Sequence, residues 1–206
     1  MGLYERFVLA PALNRVCALP LVTAQRRRIV PQARGRVLEI GLGSGLNFPH
    51  YDPARVTSVT GLDPSEALFA YARARARGLG FPVELVAAGA EANALPDAAF
   101  DTVLVTYTLC SIPEVERALA HMRRVLAPGG RLLFCEHASA PDPGVRRMQQ
   151  WLEPAWKRLA GGCHLTRDTP SLLAGAGFVI ETMASYYVPK VPRFAGYHRV
   201  GSAHAG

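Results

Sequence analysis

The chain has 206 residues, 50% apolar and only 19% charged, which suits one domain with a sizeable core and excludes a disordered chain. Its formal net charge of +7 is carried almost wholly by arginine, with Lys157 and Lys190 the only lysines. The arginines are spread along the chain, densest at Arg26-Arg27-Arg28, and no nucleic-acid motif accompanies them, so solvated faces explain the charge better than a nucleic-acid footprint does.

Residues 1–33 read as helical in two pieces, broken near Pro11 and Pro20 and ending before Pro31. Phe7 to Val22 is apolar but interrupted by Pro11, Asn14, Arg15 and Pro20, too short to cross a bilayer, and no signal-peptide pattern is visible. Such a segment can lie on a membrane with Arg26 to Arg28 toward the headgroups, but a helical lid packed on the domain is the favoured reading. Val37-Leu38-Glu39-Ile40 then forms a short buried strand running straight into Gly41-Leu42-Gly43-Ser44-Gly45-Leu46-Asn47, with a short helix over about 46–51. Val56 to Leu62 is the second strand. Asp63-Pro64-Ser65-Glu66 has the form of a helix start, with Asp63 as cap and Glu66 completing a capping box, and that helix stops at Gly78.

Val83 to Ala87 is the third strand and Phe100 to Thr106 the fourth, joined by a loop over 88–99. Ser111-Ile112-Pro113-Glu114 is a second capping box, opening a helix with Val115, Leu119, Met122 and Leu126 on one face. Pro128-Gly129-Gly130 closes it, and Arg131 to Cys135 is the fifth strand. Over 138–168, Val145, Met148, Leu152, Ala155, Trp156 and Leu159 fall at helical spacing, with Trp151 beside them. This insertion should cover the carboxyl edge of the sheet, where open α/β sheets bind ligands. Thr169-Pro170 starts a last short helix, and strands over about 178–187 and 194–202 form a hairpin-like pair, the second antiparallel to the rest. Strands alternating with helices predict a single α/β domain over 1–206. Its expected form is Rossmann-like and doubly wound, a mostly parallel seven-stranded sheet with the last strand antiparallel.

The glycine turn narrows the function. A phosphate-binding Rossmann turn would place its third glycine at position 46, which is Leu46, and no Gly-Lys-Ser/Thr follows for a P-loop. An acidic residue followed by Gly-x-Gly-x-Gly resembles the class I methyltransferases that use S-adenosylmethionine (SAM) and release S-adenosylhomocysteine. That resemblance implies a cofactor site of Glu39, Gly41, Gly43, Gly45 and Asn47 in the turn, and Asp63 with Pro64 at the ribose. It continues with Ala90 and Glu91 at the adenine and Thr106 at the exit of strand four. Where many family members carry an Asp before the Ala-Glu pair, this chain has Gly89.

Further blocks point to a subfamily: Cys110-Ser111, Glu136-His137, Trp151-Leu152-Glu153-Pro154-Ala155-Trp156 and Gly162-Cys163-His164-Leu165-Thr166-Arg167. In this order they resemble the methyltransferase-like group whose mammalian members are membrane-associated alkyl-thiol methyltransferases. The resemblance implies S-methylation of a small thiol, with phospholipid amines and quinone-type carbons as alternative acceptors and a non-catalytic SAM-binding domain as a third reading. His137 and His164 are the candidate bases, with alternative roles in capping backbone and on the surface. Tyr107, Cys110, Trp151, Trp156 and Arg167 are the candidate pocket residues, although Cys110 equally suits a small buried hydrophobe and Arg167 a bridge to Asp168 or Glu153. The histidines and the four dispersed cysteines show none of the short spacings of a zinc site or a disulfide framework, so no metal is expected. The expected setting is cytoplasmic, with a small-molecule substrate and no nucleic acid. The N-terminal segment is shorter and less apolar than those relatives' anchor, so peripheral membrane contact is not expected. The oligomeric state is not specified.

Overall fold

The computed structural model describes residues 10–92 and 94–206, apart from the side chains of Ala10 and Leu13. The predicted lid therefore begins, over 1–9, outside the described residues. Its described part is two helices, α1 (Ala10–Cys17) and α2 (Pro20–Ile29), followed by a single 3-10 turn, Val30–Gln32, that takes Pro31 inside it. Pro20 stands in the first turn of α2, where its missing N–H costs nothing.

Seven strands form one sheet in the order β3-β2-β1-β4-β5-β7-β6. They are β1 (Gly35–Ile40), β2 (Val56–Asp63), β3 (Val83–Ala87), β4 (Phe100–Thr106), β5 (Leu126–His137), β6 (Phe178–Tyr187) and β7 (Tyr197–Ala205). β1 pairs in parallel with both β2 and β4, and β7 enters antiparallel between β5 and β6. The chain builds outward from β1 to β3, then returns to add β4 on the other side. The carboxyl ends of β1 and β4 therefore border the crevice where connections leave in opposite directions.

The central strands are apolar on both faces, as a sheet covered by helices on both sides requires. Leu38, Ile40, Val103, Val105, Leu132 and Phe134 face one core, while Val37, Leu104, Leu133 and Cys135 face the other. Helix α4 (Val115–Val125) packs on the first through Val115, Ala118, Leu119, Met122 and Val125. On the second core lie α2, through Ile29, and α3 (Phe69–Ala76), through Phe69 and Ala72.

Local chemistry shifts several expected boundaries. The helix over 46–51 contracts to the 3-10 turn Phe48–His50, with Pro49 in its first turn. Neither capping box forms. Asp63 is still in β2, and Ser65 caps a 3-10 turn, Glu66–Leu68, ahead of α3. Helix α4 starts only at Val115, after Pro113, with no side-chain cap. Leu126, expected on the face of α4, opens β5, and Pro128-Gly129-Gly130 falls at a register shift against β4 rather than before the strand. Within 138–168 the regular part is α5 (Pro143–Leu159), which carries Pro154 in its interior. α6 is Thr169–Gly175, and the turn α7 (Arg193–Gly196) delays β7 to Tyr197. Among the described residues no helix is long and apolar enough to cross a membrane.

Candidate active site

At the carboxyl end of β1 the glycine turn rests on a buried polar cluster. Tyr51 donates its hydroxyl to Glu39 Oε2 at 2.6 Å, and Asn47 Nδ2 donates to Glu39 Oε1 at 2.9 Å and to Thr106 Oγ1 at 3.0 Å. Arg26, itself buried, donates through Nη1 to Asn47 Oδ1 at 2.8 Å and Thr106 Oγ1 at 2.7 Å. Burial pushes the Glu39 carboxyl up to about 7, against the bonds from Tyr51 and Asn47 and the charge of Arg26, which pull it down. Both Glu39 oxygens are engaged by protein donors, so the carboxylate braces the turn from below.

The three turn glycines differ in what surrounds them. All have positive φ, but a Cβ on Gly41 would strike Thr108 at 2.3 Å, and one on Gly45 would strike Phe48 at 2.7 Å. A Cβ on Gly43 would meet only Leu68, at 3.8 Å, so Gly43 alone of the three presents open backbone. Asp63 Oδ2 accepts from the Gly43 amide at 2.9 Å and Oδ1 from the Ser65 amide at 2.8 Å. Burial raises the Asp63 pKa and these two amides oppose the rise. Helix α1 approaches the same turn through a hydrogen bond from Ser44 Oγ to Asn14 Oδ1.

The second half of the site lies where β4 and β5 end. Tyr107 sits at φ +57°, a left-handed conformation costly for a bulky residue, and its amide donates to the Cys135 carbonyl at 2.9 Å. The loop it starts is pinned on several sides. Glu136 Oε1 accepts from the amides of Thr108 and Leu109 at 2.8 and 3.2 Å. Arg167 donates to the carbonyls of Leu109 and Ile112, the latter at 2.6 Å, and the His164 amide donates to the Cys110 carbonyl at 2.8 Å. On this frame Cys163 Sγ lies 2.8 Å from His137 Nε2 and 3.5 Å from Cys110 Sγ, and Trp156 Nε1 donates to the same sulfur at 3.4 Å. Burial alone would depress His137, but the Cys163 contact and nearby carboxylates leave its pKa raised. His164 Nδ1 is 3.1 Å from Glu153 Oε1, whose other oxygen accepts from the amide and hydroxyl of Thr166.

Residues 38–134 match the methyltransferase-domain family. Over 97% of the chain, the sequence is 36% identical to a human thiol S-methyltransferase, TMT1B, covering 84% of that protein. The chain belongs to the class I SAM-dependent methyltransferases. A phosphatidylethanolamine N-methyltransferase of Cereibacter sphaeroides is 39% identical over 50% of the chain and 51% of its own length. In fold, a SAM-dependent methyltransferase from Methanosarcina mazei superposes with a TM-score of 0.68 at 21% identity, covering 91% of this chain and 97% of its own.

The donor set of this methyltransferase fits SAM: open backbone at Gly43, a carboxylate at Asp63 with unused lone pairs, and no lysine or P-loop for phosphate. Asn47 and Thr106, expected at the cofactor, join Glu39 in one hydrogen-bonded cluster. Ala90 is buried after β3, Glu91 is half-buried beside it, and Pro64 is exposed next to Asp63. Cys110, Trp156 and Arg167 converge with His137 and His164 at the second half, whereas the Tyr107 ring packs 5.5 Å from His198 and 5.3 Å from the Arg26 guanidinium. Arg167 bonds to carbonyls there, whereas the Glu153 and Asp168 carboxylates are held by Thr166 and His164 and by Arg199 and Ser171. Trp151 does not join them. It is 79% exposed on the outer face of α5, because 151 and 156 are five positions apart and fall on different sides of the helix.

Four residues escaped the sequence reading. Arg26 belongs to the run assigned to solvent or headgroups, yet it is buried with Gln25 and Ile29, and its i, i+3 spacing to the apolar Ile29 could have marked it. Arg27 and Arg28 of that run are exposed, with Arg28 lying 4.4 Å over the Tyr186 ring. Tyr51 and His198 had no local signal. His198 pairs across strands with His137, and burial lowers its pKa to about 4. Cys163 lay within a motif already singled out, but its partners are 26 and 53 residues away.

Proposed function

We propose that this methyltransferase transfers the SAM methyl group to the sulfur of a small, rather apolar thiol. The match to a thiol S-methyltransferase along nearly the whole chain carries the reading. The second half of the site supports it, being lined by Cys110, Cys163, Trp156 and the imidazole of His137. A phospholipid amine would call for an acidic cage, and Glu153 and Asp168 are already committed to protein donors. The match to the phospholipid enzyme also reaches only half as far along the chain.

Bound SAM supplies an electrophilic methyl on a cationic sulfur. Asp63 holds the ribose and Ala90 and Glu91 the adenine, while Arg26, Asn47 and the open backbone of Gly43 hold the amino-acid end. Glu39 positions Asn47 and Tyr51 rather than touching the cofactor. The loop from Tyr107 to Ile112 is anchored by Glu136, Arg167 and the His164 amide, so an acceptor seated against Cys110 meets the methyl in line, and alignment in a dry site provides most of the acceleration. His137 acts on the acceptor sulfur. His164 is occupied by Glu153 and serves to hold the covering segment. The described helices α1 and α2 act as a lid over the cofactor end within a single domain, and residues 138–168 cover the acceptor end. The setting is a cytoplasmic enzyme with free thiols and a diffusible substrate.

The test is calorimetric binding of SAM followed by parallel turnover with an alkyl thiol and a phospholipid amine. Methylation of the thiol alone is expected. Methylation of the amine alone would transfer the assignment to the lipid, and failure to bind SAM would remove the cofactor site as described.

A further inference from the structure

Three potential metal ligands from three separate segments meet at the acceptor end. Cys110 comes from the loop after β4, His137 is the last residue of β5, and Cys163 follows α5 through Gly161 and Gly162, both at positive φ. Their Sγ, Nε2 and Sγ atoms lie within 4.8 Å of one another. We propose that Cys110, Cys163 and His137 hold a soft divalent cation, zinc in the first instance, whose fourth position takes the acceptor thiol as its thiolate.

The donor chemistry selects the class of ion. Two sulfurs and one imidazole suit zinc and exclude magnesium or calcium, which require oxygen. Three protein ligands with an open fourth position are the arrangement of catalytic rather than structural zinc. The geometry is close to that required. Tetrahedral zinc with bonds of about 2.3 Å to sulfur and about 2.0 Å to nitrogen puts two sulfurs about 3.8 Å apart and sulfur and nitrogen about 3.5 Å apart. The two sulfurs here stand at 3.5 Å, and the Cys163–His137 pair at 2.8 Å. Admitting the ion therefore means replacing the hydrogen bonds of Cys163 with His137 and Cys110 and opening the Cys163–His137 pair by roughly 0.7 Å, within reach of a side-chain rotation on a glycine-flanked loop. Two thiolates cancel the charge of the ion, and a third from the acceptor leaves one excess negative charge. The Trp156 N–H already points at Cys163, and the Arg167 guanidinium interacts electrostatically with both sulfurs, so the site has donors and positive charge to receive it.

The inference rests on the thiol reading and gives His137 its role. The acceptor thiol loses its proton to solvent on binding the ion, and the thiolate attacks the SAM methyl carbon. The bond from that carbon to the sulfonium breaks with its electron pair passing to the departing sulfur. The products are a methyl thioether and S-adenosylhomocysteine, with the cation unchanged and no net oxidation.

The test begins without SAM or thiol. The full chain is stripped with chelator under reducing conditions, equilibrated with zinc, gel-filtered, and its metal content measured by mass spectrometry. About one zinc per chain is expected, and cobalt in its place should give a thiolate charge-transfer band with the intense visible bands of a tetrahedral site. Cys110→Ser and Cys163→Ser should weaken binding by more than about 100-fold while Cys17→Ser retains it, with circular dichroism confirming that each variant is folded. A wild-type chain that emerges without zinc overturns the site. So does a Cys110–Cys163 disulfide that forms under mild oxidant as readily with zinc present as without it. Thiol turnover then separates the two claims. A metal-free enzyme that methylates the thiol at full rate removes the catalytic role of the ion and leaves the thiol assignment standing. A zinc-loaded enzyme that methylates only the amine removes the thiol assignment and, with it, the thiolate as fourth ligand.

Discussion

The two ends of this active site are built on opposite plans. The cofactor end is organised by one continuous stretch, β1 through Asn47, onto which Arg26, Tyr51, Asp63 and Thr106 close, and its polar atoms are bound to each other. The acceptor end has no such stretch. Cys110, His137, Trp156, Cys163 and Arg167 come from the loop after β4, from β5, from α5 and from the loop beyond it, and are held together by carbonyl, carboxylate and sulfur contacts. A preformed end suits an invariant ligand such as SAM, and an end assembled from loops can change its acceptor without disturbing the sheet.

The largest effect should come from cutting the cofactor end at Asp63. Asp63→Ala removes the proposed ribose acceptor and the partner of the Gly43 amide together. Charged hydrogen bonds are each worth about 1.5–3 kcal/mol, so SAM affinity should fall by about 4 kcal/mol in calorimetry, while thermal unfolding shifts much less. Equal losses in binding and stability would show that Asp63 is mainly a brace.

Next in size is the pH response of Glu39. Its pKa is raised from 4.5 in the unfolded chain to about 7 in the fold, so between those values the native state holds a proton that the unfolded state has released. Stability should therefore decline as pH rises from about 4.5 to about 7, by up to about 3 kcal/mol, and level off above that range. Urea unfolding of the wild type against Glu39→Gln measures it, since the variant should lack this component. A wild-type profile that rises through the same window would contradict it.

Arg26 tests whether α2 is part of the cofactor end. Arg26→Met should weaken SAM binding by about 2 kcal/mol through loss of a charged donor. It should also move the Glu39 window further upward, because the Arg26 charge lowers that pKa. Unchanged binding would confine α2 to packing.

The same contrast explains what the sequence could reveal. Glu39, the glycines and Asp63 announce themselves because a tight turn after a buried strand must be contiguous in the chain, and β3 and β4 begin and end where the apolar pattern places them. Capping boxes failed for a physical reason. Pro64 and Pro113 hold the residue before them out of the helical region, so Asp63 remains in the strand and α4 waits until Val115. Arg26 was obscured by its neighbours, since a run of three arginines looks like a solvated face until the helix is seen to bury one of them. The meeting of Cys110, His137 and Cys163 leaves no trace in spacing because the sheet order, not the local chain, brings β4 and β5 side by side.

The smallest effect is the one that best separates the two tryptophans of α5. Trp151 is 79% exposed, so Trp151→Ala should alter stability by no more than about 0.5 kcal/mol and leave turnover unchanged. Trp156 instead gives its N–H to Cys163 and packs edge-on against Phe194 at 5.7 Å. Trp156→Phe keeps most of the apolar contact and deletes only the donor, so its unfolding midpoint should stay near wild type while thiol turnover declines. If Trp151→Ala lowers turnover and Trp156→Phe does not, the acceptor approaches over the outer face of α5, and the boundary drawn for that end of the site is on the wrong side of the helix.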